Sequence, residues 1–349
     1  MIYFDNAATT PLCDSAREVL INHDFGNPSS PHMLGLAAER AIKKAARDIG
    51  SILSCSGEEI IFTSGGTESN NLGILGAAAA LKFARNRNLN IHILASNHEH
   101  PSVAEPLKYL SSLQGYTVTF AEPSSFKSHI CDETAMICIS QVSSETGDIF
   151  DIKKIFDGVI FVDGAQGFCK VAPPKYADIY SFSGHKIRGP MGAGGLMVKK
   201  GVRIQPLFYG GGQQQNLRPG TENVPGILAM AAAAKERQDH DKILRIKNIL
   251  SDLGDINQAA EQASPYILNM SFKGIRGETL TNLLSAKGVC VSMGAACQTG
   301  KKKLTLVNMG FSKERAESAI RFSFSSANTE EEALQAKEII KECLAELKK

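Results

Sequence analysis

The sequence contains no tryptophan, and its eight cysteines are scattered without a Cys-x-x-Cys pair. That spacing argues against a zinc knuckle or a disulfide framework and favours reduced thiols, most of them buried. No apolar run is long enough to cross a bilayer, and the formal charge of +2 gives no reason to propose a membrane or a nucleic acid as a partner. The first residues carry no signal-like region, so we expect a cytoplasmic protein.

What the sequence does contain is an alternation of strand and helix patterns from residue 59 to residue 199. This alternation predicts an α/β domain in which a mostly parallel seven-stranded sheet lies between helices. In such sheets the ligand lies beyond the carboxyl ends of the strands. The predicted strands are 59–63, 91–95, 116–120, 135–140, 159–162, 177–182 and 195–199.

A smaller α+β domain is predicted in the remainder of the chain, with a helix over 224–253 long enough to connect the two domains. We expect residues 11–245 to form the large domain. Residues 1–10 and 246–349 should form the small one. The small domain has strand patterns near 266–272, 289–292 and 319–324 and a last helix at 329–348.

A lysine follows one of the predicted strands directly. The apolar run Ile179–Phe182 predicts a buried strand, which ends at Ser183-Gly184-His185-Lys186 before a glycine-rich turn. Lysine forms Schiff bases, and pyridoxal 5′-phosphate (PLP) is the commonest cofactor that needs one. From these residues alone a basic turn at a strand end is the simpler interpretation, so the hypothesis depends on the rest of the chain.

Three other strand ends carry groups that suit such a cofactor. Gly66 and Thr67 stand at a predicted helix start, where a phosphate binds well, although a plain N-cap is the alternative. Asp163 ends a very apolar strand, where a carboxylate could pair with a protonated pyridine nitrogen or cap a loop. His98 and His100 could stack on a ring, relay a proton or be structural; no third ligand stands at a convincing spacing, so no metal site is predicted.

Further candidates lie in the C-terminal half. Cys297 occupies a small-residue segment beside Lys301–Lys303, and nearby positive charge lowers the pKa of a thiol, so it is the best candidate for a reactive thiolate. A surface cysteine beside solvated charges is the alternative. Arg321 lies in an apolar strand pattern, where it could fork onto a substrate carboxylate or form a structural salt bridge. The glycine-rich stretch 209–223 is expected to close over a ligand, reach another subunit or be a flexible linker.

Together these segments resemble the cysteine desulfurases, which are fold-type I, class V aminotransferase-like PLP enzymes. The resemblance runs from Asp5 to about Glu332, and the motifs occur in the order that the family has. The most specific motifs are Asp-Asn-Ala-Ala-Thr-Thr-Pro, Gly-Asn-Pro-Ser-Ser, Thr-Ser-Gly-Gly-Thr-Glu-Ser-Asn-Asn, Ser-Gly-His-Lys and Arg-Pro-Gly-Thr-Glu-Asn.

The resemblance implies a role for each candidate. Lys186 would hold PLP as a Schiff base and later move the Cα proton of the substrate. Asp163 would pair with the pyridinium nitrogen, His100 would stack on the ring and Gln166 would contact the phenolic oxygen. The remaining implied contacts are Gly66, Thr67, Ser183, His185 and, from a neighbouring subunit, Thr221 for the phosphate, with Asn27 and Arg321 for the substrate carboxylate.

The resemblance also implies the reaction. L-Cysteine would give L-alanine, and its sulfur would remain as a persulfide on Cys297, in a mobile loop at about 292–310, for transfer to an acceptor protein. The acceptor would serve iron–sulfur clusters or thio-modification, and the enzyme would be a homodimer. A selenocysteine lyase, another class V aminotransferase or lyase, or a non-catalytic scaffold in sulfur transfer are the alternatives. Lys301–Lys303 could dock an acidic acceptor, depress the thiol pKa or be simply solvated.

The chain departs from the family pattern at four places, two of which are the segment Ser292-Met293-Gly294-Ala295-Ala296 before Cys297 and the strand after Arg321, which lacks the usual Gly-Arg. Ser143-Ser144-Glu145 replaces the usual Asn-Asn-Glu, whose second Asn contacts cofactor and substrate, so Ser144 is the corresponding candidate with one shorter hydroxyl. Gln214-Gln215-Asn216 replaces the usual acidic and basic pair. We expect these departures to affect substrate choice and turnover more than PLP binding.

Overall fold

The computed structural model describes residues 1–23, 25–84, 90–152, 155–293 and 304–348. It has two compact units. The larger unit comprises Pro11–Gln141 and Asp151–Glu236, and the smaller one comprises Met1–Thr10, Val142–Phe150 and Arg237–Lys349. The domain limit at 245 stays a prediction; the units themselves divide after Glu236, and the smaller unit also takes a segment from the middle of the chain.

The described residues form twelve strands and eleven α-helices. The strands are β1 (Ile2–Tyr3), β2 (Ile60–Thr63), β3 (Ile91–Ser96), β4 (Tyr116–Ala121), β5 (Thr134–Ser140), β6 (Val159–Asp163), β7 (Ile179–Ser183), β8 (Gly194–Val198), β9 (Asp255–Ile256), β10 (Ile267–Ser271), β11 (Val289–Cys290) and β12 (Ala319–Ser323). The helices are α1 (Asp14–Asn22), α2 (Met33–Leu53), α3 (Gly66–Ala84), α4 (Pro101–Ser111), α5 (Phe126–His129), α6 (Val224–Ala234), α7 (His240–Leu250), α8 (Gly277–Ala286), α9 (Leu304–Asn308), α10 (Lys313–Glu317) and α11 (Glu330–Leu347).

The larger unit contains the seven-stranded sheet, in the order β2-β8-β7-β6-β5-β3-β4. The pairs from β7 to β4 are all parallel, and β8 is antiparallel to both of its neighbours. The predicted mostly parallel seven-stranded sheet is therefore confirmed. Strand β6 is almost wholly buried, which explains why Val159–Val162 is a continuous apolar run. Strands β3 and β7 are buried as well, together with polar residues such as His92, Ser181 and Ser183.

The strand order gathers several loops at one edge of this sheet. Strand β3 leads to β4 on one side and then, through β5, to β6 and β7 on the other side, so the order reverses between β3 and β5. The carboxyl ends of β2, β3, β5, β6 and β7 all point to the same edge. Such a reversal opens a crevice beyond the strand ends, and ligands of open α/β sheets bind there.

The single helix predicted over 224–253 is wrong, because the chain forms α6 and α7 instead. Helix α6 ends at Ala234, and a new helix begins at His240. The Asp239 side chain accepts a hydrogen bond from the backbone N–H of Lys242 at 3.0 Å and so provides an N-cap for the second helix. A cap residue of this kind satisfies orphan N–H groups and starts a helix where an apolar pattern alone predicts continuity.

The smaller unit is built on a three-stranded antiparallel sheet, β12-β10-β9, and a parallel pair, β1-β11. Side chains from α7, α8 and α11 pack with these strands in one apolar core. Phe4 and Phe324 meet edge to face there, with ring centroids 5.2 Å apart. Within the described part of the chain, no helix is both long and apolar enough to cross a membrane.

Candidate active site

Asp163 is the buried anion of the sheet edge. It is the last residue of β6 and is only 6% exposed. Its Oδ2 accepts a hydrogen bond from Asn70 Nδ2 at 2.9 Å, and its Oδ1 accepts one from the Ala165 N–H at 2.9 Å. A buried carboxylate that is held by donors on both oxygens keeps a fixed position and can pair with a cation.

Ser183 and the start of α3 form the second part of the site. A Cβ built on Gly66, the first residue of α3, would lie 3.5 Å from the Ser183 Cβ, so the helix start and the end of β7 are neighbours. The Ser183 Oγ is buried and has no hydrogen-bond partner among the described residues. A buried hydroxyl beside the N–H groups of a helix start is suited to a phosphate, and the residues present therefore fit this part of PLP.

His185 and Lys186 lie in a 3₁₀ turn, Gly184–Lys186, directly after β7. Burial, followed by the charges of Lys186 and Lys170, lowers the pKa of His185 to about 4. The imidazole is therefore neutral at neutral pH, and it can donate one hydrogen bond without adding a charge.

Gln166 is buried three residues after Asp163, and its side chain has a defined orientation. Lys170 Nζ donates to Gln166 Oε1 at 3.3 Å. Because an ammonium group can only donate, the carbonyl end of the amide faces Lys170 and the NH₂ end faces away from it. That orientation suits an amide that must donate to an anionic oxygen.

His100 is exposed and forms the N-cap of α4. Its Nδ1 lies 2.7 Å from Ser102 Oγ and accepts from the Ser102 N–H at 3.2 Å. His98 has a different environment, since its ring nitrogens lie 3.1 Å from Ser96 Oγ and 3.2 Å from Glu122 Oε2. The structural alternative therefore describes His98 well, whereas His100 is the histidine with an exposed ring.

Glu99, between these histidines, is a residue that the sequence pattern did not single out. Its carboxyl group accepts from the Ser140 N–H at 2.8 Å and from Ser140 Oγ at 2.6 Å, which joins the ends of β3 and β5. Burial, with a further contribution from the Asp163 charge, raises the pKa of Glu99 to about 8 against the opposing effect of the Ser140 hydrogen bonds. The Glu99 carboxyl group is thus largely protonated at neutral pH.

Three predicted residues lie on exposed parts of the larger unit. Thr67 is exposed in the first turn of α3, and Asn27 is exposed in a turn where its Oδ1 accepts from the Ser29 N–H at 3.0 Å. Thr221 is exposed in the glycine-rich loop 209–223. That loop is anchored to the larger unit, because Arg218 Nε donates to Glu68 Oε1 at 2.9 Å and Gln214 accepts from the Phe62 N–H at 2.8 Å.

Arg321 and Ser144 belong to the smaller unit. The Arg321 guanidinium is buried and donates to the Ser144 carbonyl at 2.7 Å and to Asp5 Oδ1 at 3.1 Å, with Glu145 Oε1 at 3.7 Å. Its Nε is buried without a hydrogen-bond partner in the described ranges. The structural salt bridge expected as an alternative is present, and a donor remains for a further acceptor.

Two predicted features, Cys297 and Lys301–Lys303, lie outside the described residues. The described flanks are Ser292, which pairs with the backbone of Arg321, and α9. Of the seven described cysteines, which are all free, Cys131 is exposed and three are buried. Within the described ranges no group of three His, Cys, Asp or Glu side chains could hold a metal ion.

Comparison with known proteins identifies the family. The chain matches the family described as Aminotransferase class-V over residues 2–335, and it belongs to that family. It is 36% identical to the NifS/IcsS protein homolog of Lactobacillus delbrueckii subsp. bulgaricus over 95% of this chain and 94% of that protein. It is 35% identical to cysteine desulfurase IscS of Buchnera aphidicola subsp. Schizaphis graminum over 95% of this chain and 89% of that protein.

Solved structures agree with this assignment. A NifS-like protein superposes with a TM-score of 0.87 at 33% identity and covers 99% of both chains. SspA in complex with cysteine superposes with a TM-score of 0.81 at 28% identity over 93% of this chain and 99% of that one. The resemblance to the cysteine desulfurases and the fold-type I architecture, both predicted from the sequence, are confirmed.

Proposed function

We propose that this protein is a PLP-dependent cysteine desulfurase that converts L-cysteine to L-alanine and holds the sulfur as a persulfide on Cys297. The observation that carries the proposal is the joint presence, at one sheet edge, of buried Asp163, the unpartnered hydroxyl of Ser183 and Lys186 directly after β7. The names of the relatives and the cysteine bound to SspA support L-cysteine as the substrate.

PLP is the cofactor that these residues would hold. Lys186 Nζ would bind it covalently, Asp163 would face its ring nitrogen, and Gln166 would donate to its phenolic oxygen. The phosphate would be held by Ser183, His185 and the start of α3 at Gly66 and Thr67. When bound, PLP supplies an electron sink that makes the Cα proton of an amino acid acidic.

The residues of the chain supply the other steps. Once its amine is displaced by the substrate, Lys186 Nζ can take up and return the Cα proton. Arg321 would bind the substrate carboxylate through Nε, helped by Asn27, while Ser144 would contribute one hydroxyl.

The sulfur transfer balances without an external oxidant. The Cys297 thiolate attacks the substrate sulfur and a S–S bond forms, while the Cβ–S bond breaks with its electron pair left on the carbon side, where a proton completes the methyl group of alanine. L-Cysteine and the thiol thus give L-alanine and a persulfide, which then passes its outer sulfur to a thiol of an acceptor protein.

We further propose that the protein is a cytoplasmic homodimer in which Thr221 of a second copy completes the phosphate site. The exposed aromatic side chains of the loop 209–223 and its start support an interface there, since Tyr209 is 90% exposed and Phe208 is 57% exposed. The acceptor would serve iron–sulfur cluster assembly or thio-modification, in keeping with the IscS names of the relatives.

Mass spectrometry of the intact protein after incubation with L-cysteine tests the proposal. We expect one added sulfur on Cys297, and we expect Cys297→Ser to lose both the added sulfur and alanine release while it keeps the visible absorbance of bound PLP. Cys131→Ser, which changes the exposed cysteine, is the matched control and should behave as the wild type. Alanine release that survives in Cys297→Ser would refute the persulfide route, and loss of PLP absorbance in the wild type would refute the cofactor.

A further inference from the structure

A chain of short hydrogen bonds joins His100 to Asp163 through two residues that have no role in the proposed reaction. The Nδ1 of His100 lies 2.7 Å from Ser102 Oγ. Asn70 Nδ2 donates to Ser102 Oγ at 2.8 Å and to Asp163 Oδ2 at 2.9 Å. Asn70 is 1% exposed and stands one turn into α3, and Ser102 is the second residue of α4.

The Asp163 carboxylate, at one end of this series of hydrogen bonds, determines which groups donate and which accept. The carboxylate of Asp163 accepts, so Asn70 must present its NH₂ group to it; the reversed amide would place oxygen against oxygen. The second N–H of the same group then points to Ser102 Oγ. In this orientation Asn70 Oδ1 is buried without a partner in the described part of the chain, which shows that the two donated bonds decide the orientation.

The direction of donation is the same at the next hydrogen bond, between Ser102 and the His100 imidazole. Because Ser102 Oγ accepts from Asn70, its own hydrogen is available for His100 Nδ1. The N–H of Ser102 donates to the same atom at 3.2 Å. Two donors therefore converge on Nδ1, which must carry a lone pair and no proton.

We propose that Asn70 and Ser102 are positioning residues that hold His100 as the neutral tautomer protonated at Nε2. The tautomer itself does not depend on the proposed function; only its role in the reaction rests on that proposal. An imidazole with a fixed tautomer offers a proton donor at one known atom, Nε2, to a cofactor bound beside it. A proton on Nδ1 would face the Ser102 N–H, which cannot accept, and would lose that hydrogen bond while the Ser102 hydroxyl turned its own hydrogen away, so the tautomer protonated at Nδ1 is disfavoured.

The tautomer is read directly by ¹⁵N NMR of the full-length protein labelled at its eight histidines, with the His100 signals assigned from a His100→Gln spectrum. In the wild type we expect a proton on Nε2 and none on Nδ1, before and after PLP is added. Ser102→Ala removes the hydroxyl donor and should raise the ratio of Nδ1–H to Nε2–H about fivefold, the effect of one net hydrogen bond. Ser102→Thr keeps a hydroxyl and should restore the wild-type ratio.

Ser111→Ala is the matched control, because Ser111 lies at the other end of α4 and its exposed hydroxyl bonds only the Lys108 carbonyl in the described structure. It should leave the ratio unchanged. A proton on Nδ1 in the wild type, or an unchanged ratio in Ser102→Ala, would overturn the inference. Since this signal does not need catalysis, its failure is distinguishable from a failure of the desulfurase reaction, which the mass of Cys297 reports.

Discussion

Glu99 offers the sharpest test of the electrostatics of the site. It shares the sheet edge with Asp163, and its carboxyl group is bound by both the N–H and the hydroxyl of Ser140. Replacement by Gln keeps the shape of a protonated carboxyl group: the amide oxygen can accept from the Ser140 N–H, and the NH₂ group can donate to the Ser140 hydroxyl. Glu99→Gln thus removes the titration while it keeps the contacts.

The magnitude follows from the raised pKa. Burial raises the pKa of Glu99 from 4.5 to about 8 in the folded protein. The folded state therefore binds more protons than the unfolded state between these two values, and stability that is fully present below pH 4.5 is lost as the pH rises. Between pH 5 and pH 7 the loss is at most about 2.5 kcal/mol, an upper limit because the side chain keeps partial contact with solvent.

The assay is the free energy of unfolding in urea at pH 5, 6, 7 and 8 for the wild type and for Glu99→Gln. From pH 5 to pH 7, we expect the free energy of unfolding of the variant to rise by up to about 2.5 kcal/mol relative to that of the wild type. Glu105→Gln is the control, since Glu105 is 63% exposed on α4 and should give a curve parallel to that of the wild type. Parallel curves for Glu99→Gln would mean that the buried carboxyl is ionised, and would refute the reasoning.

Two further substitutions test substrate binding by Arg321 and the packing of α3 on the sheet. Arg321→Lys replaces a fork that donates to two partners by a single ammonium group, and we expect the KM for L-cysteine in alanine formation to rise at least about tenfold; an unchanged KM would contradict carboxylate binding by Arg321. Gly73→Ala would place a Cβ 2.6 Å from the Phe161 ring, between α3 and β6. It should lower the free energy of unfolding by about 1–3 kcal/mol, and an unaltered urea midpoint would show that the core can relax there.

Most of the sheet could be predicted from the sequence because parallel strands are buried on both faces. Strand β5, predicted at 135–140, occurs at Thr134–Ser140, and β6, predicted at 159–162, occurs at Val159–Asp163. The same argument fails for the segment after Val224, because residues 235–242 include no apolar side chain that would show whether one helix continues. The helix ends at Ala234, and Asp239 caps the start of a second one. Apolar patterns indicate which face is buried, but the end of a helix depends on single polar contacts.

The residues of the site likewise divide into those that could be predicted from the sequence and those that could not. Asp163 and Lys186 were predictable because Asp163 directly follows an apolar run and Lys186 lies in the short turn after a predicted buried strand, where charged side chains are conspicuous. Asn70 and Ser102 were not, since an asparagine and a serine in helices are ordinary, and their bonds join positions 93 and 32 residues apart. Glu99 stands between two histidines in the sequence, but its carboxyl group is protonated because it is buried, and no local sequence pattern reveals that burial.

The two carboxyl groups at this sheet edge have different partners. Asp163 is held by donors on both oxygens, Asn70 Nδ2 on one and the Ala165 N–H with Ser181 Oγ on the other. Ser140 Oγ, which faces Glu99, can accept as well as donate, and it therefore tolerates a protonated carboxyl group. The charge of Asp163 is one of the causes that raise the pKa of Glu99. The proton is thus placed on Glu99, and Asp163 keeps its donors at the position where a protonated ring nitrogen is proposed to bind.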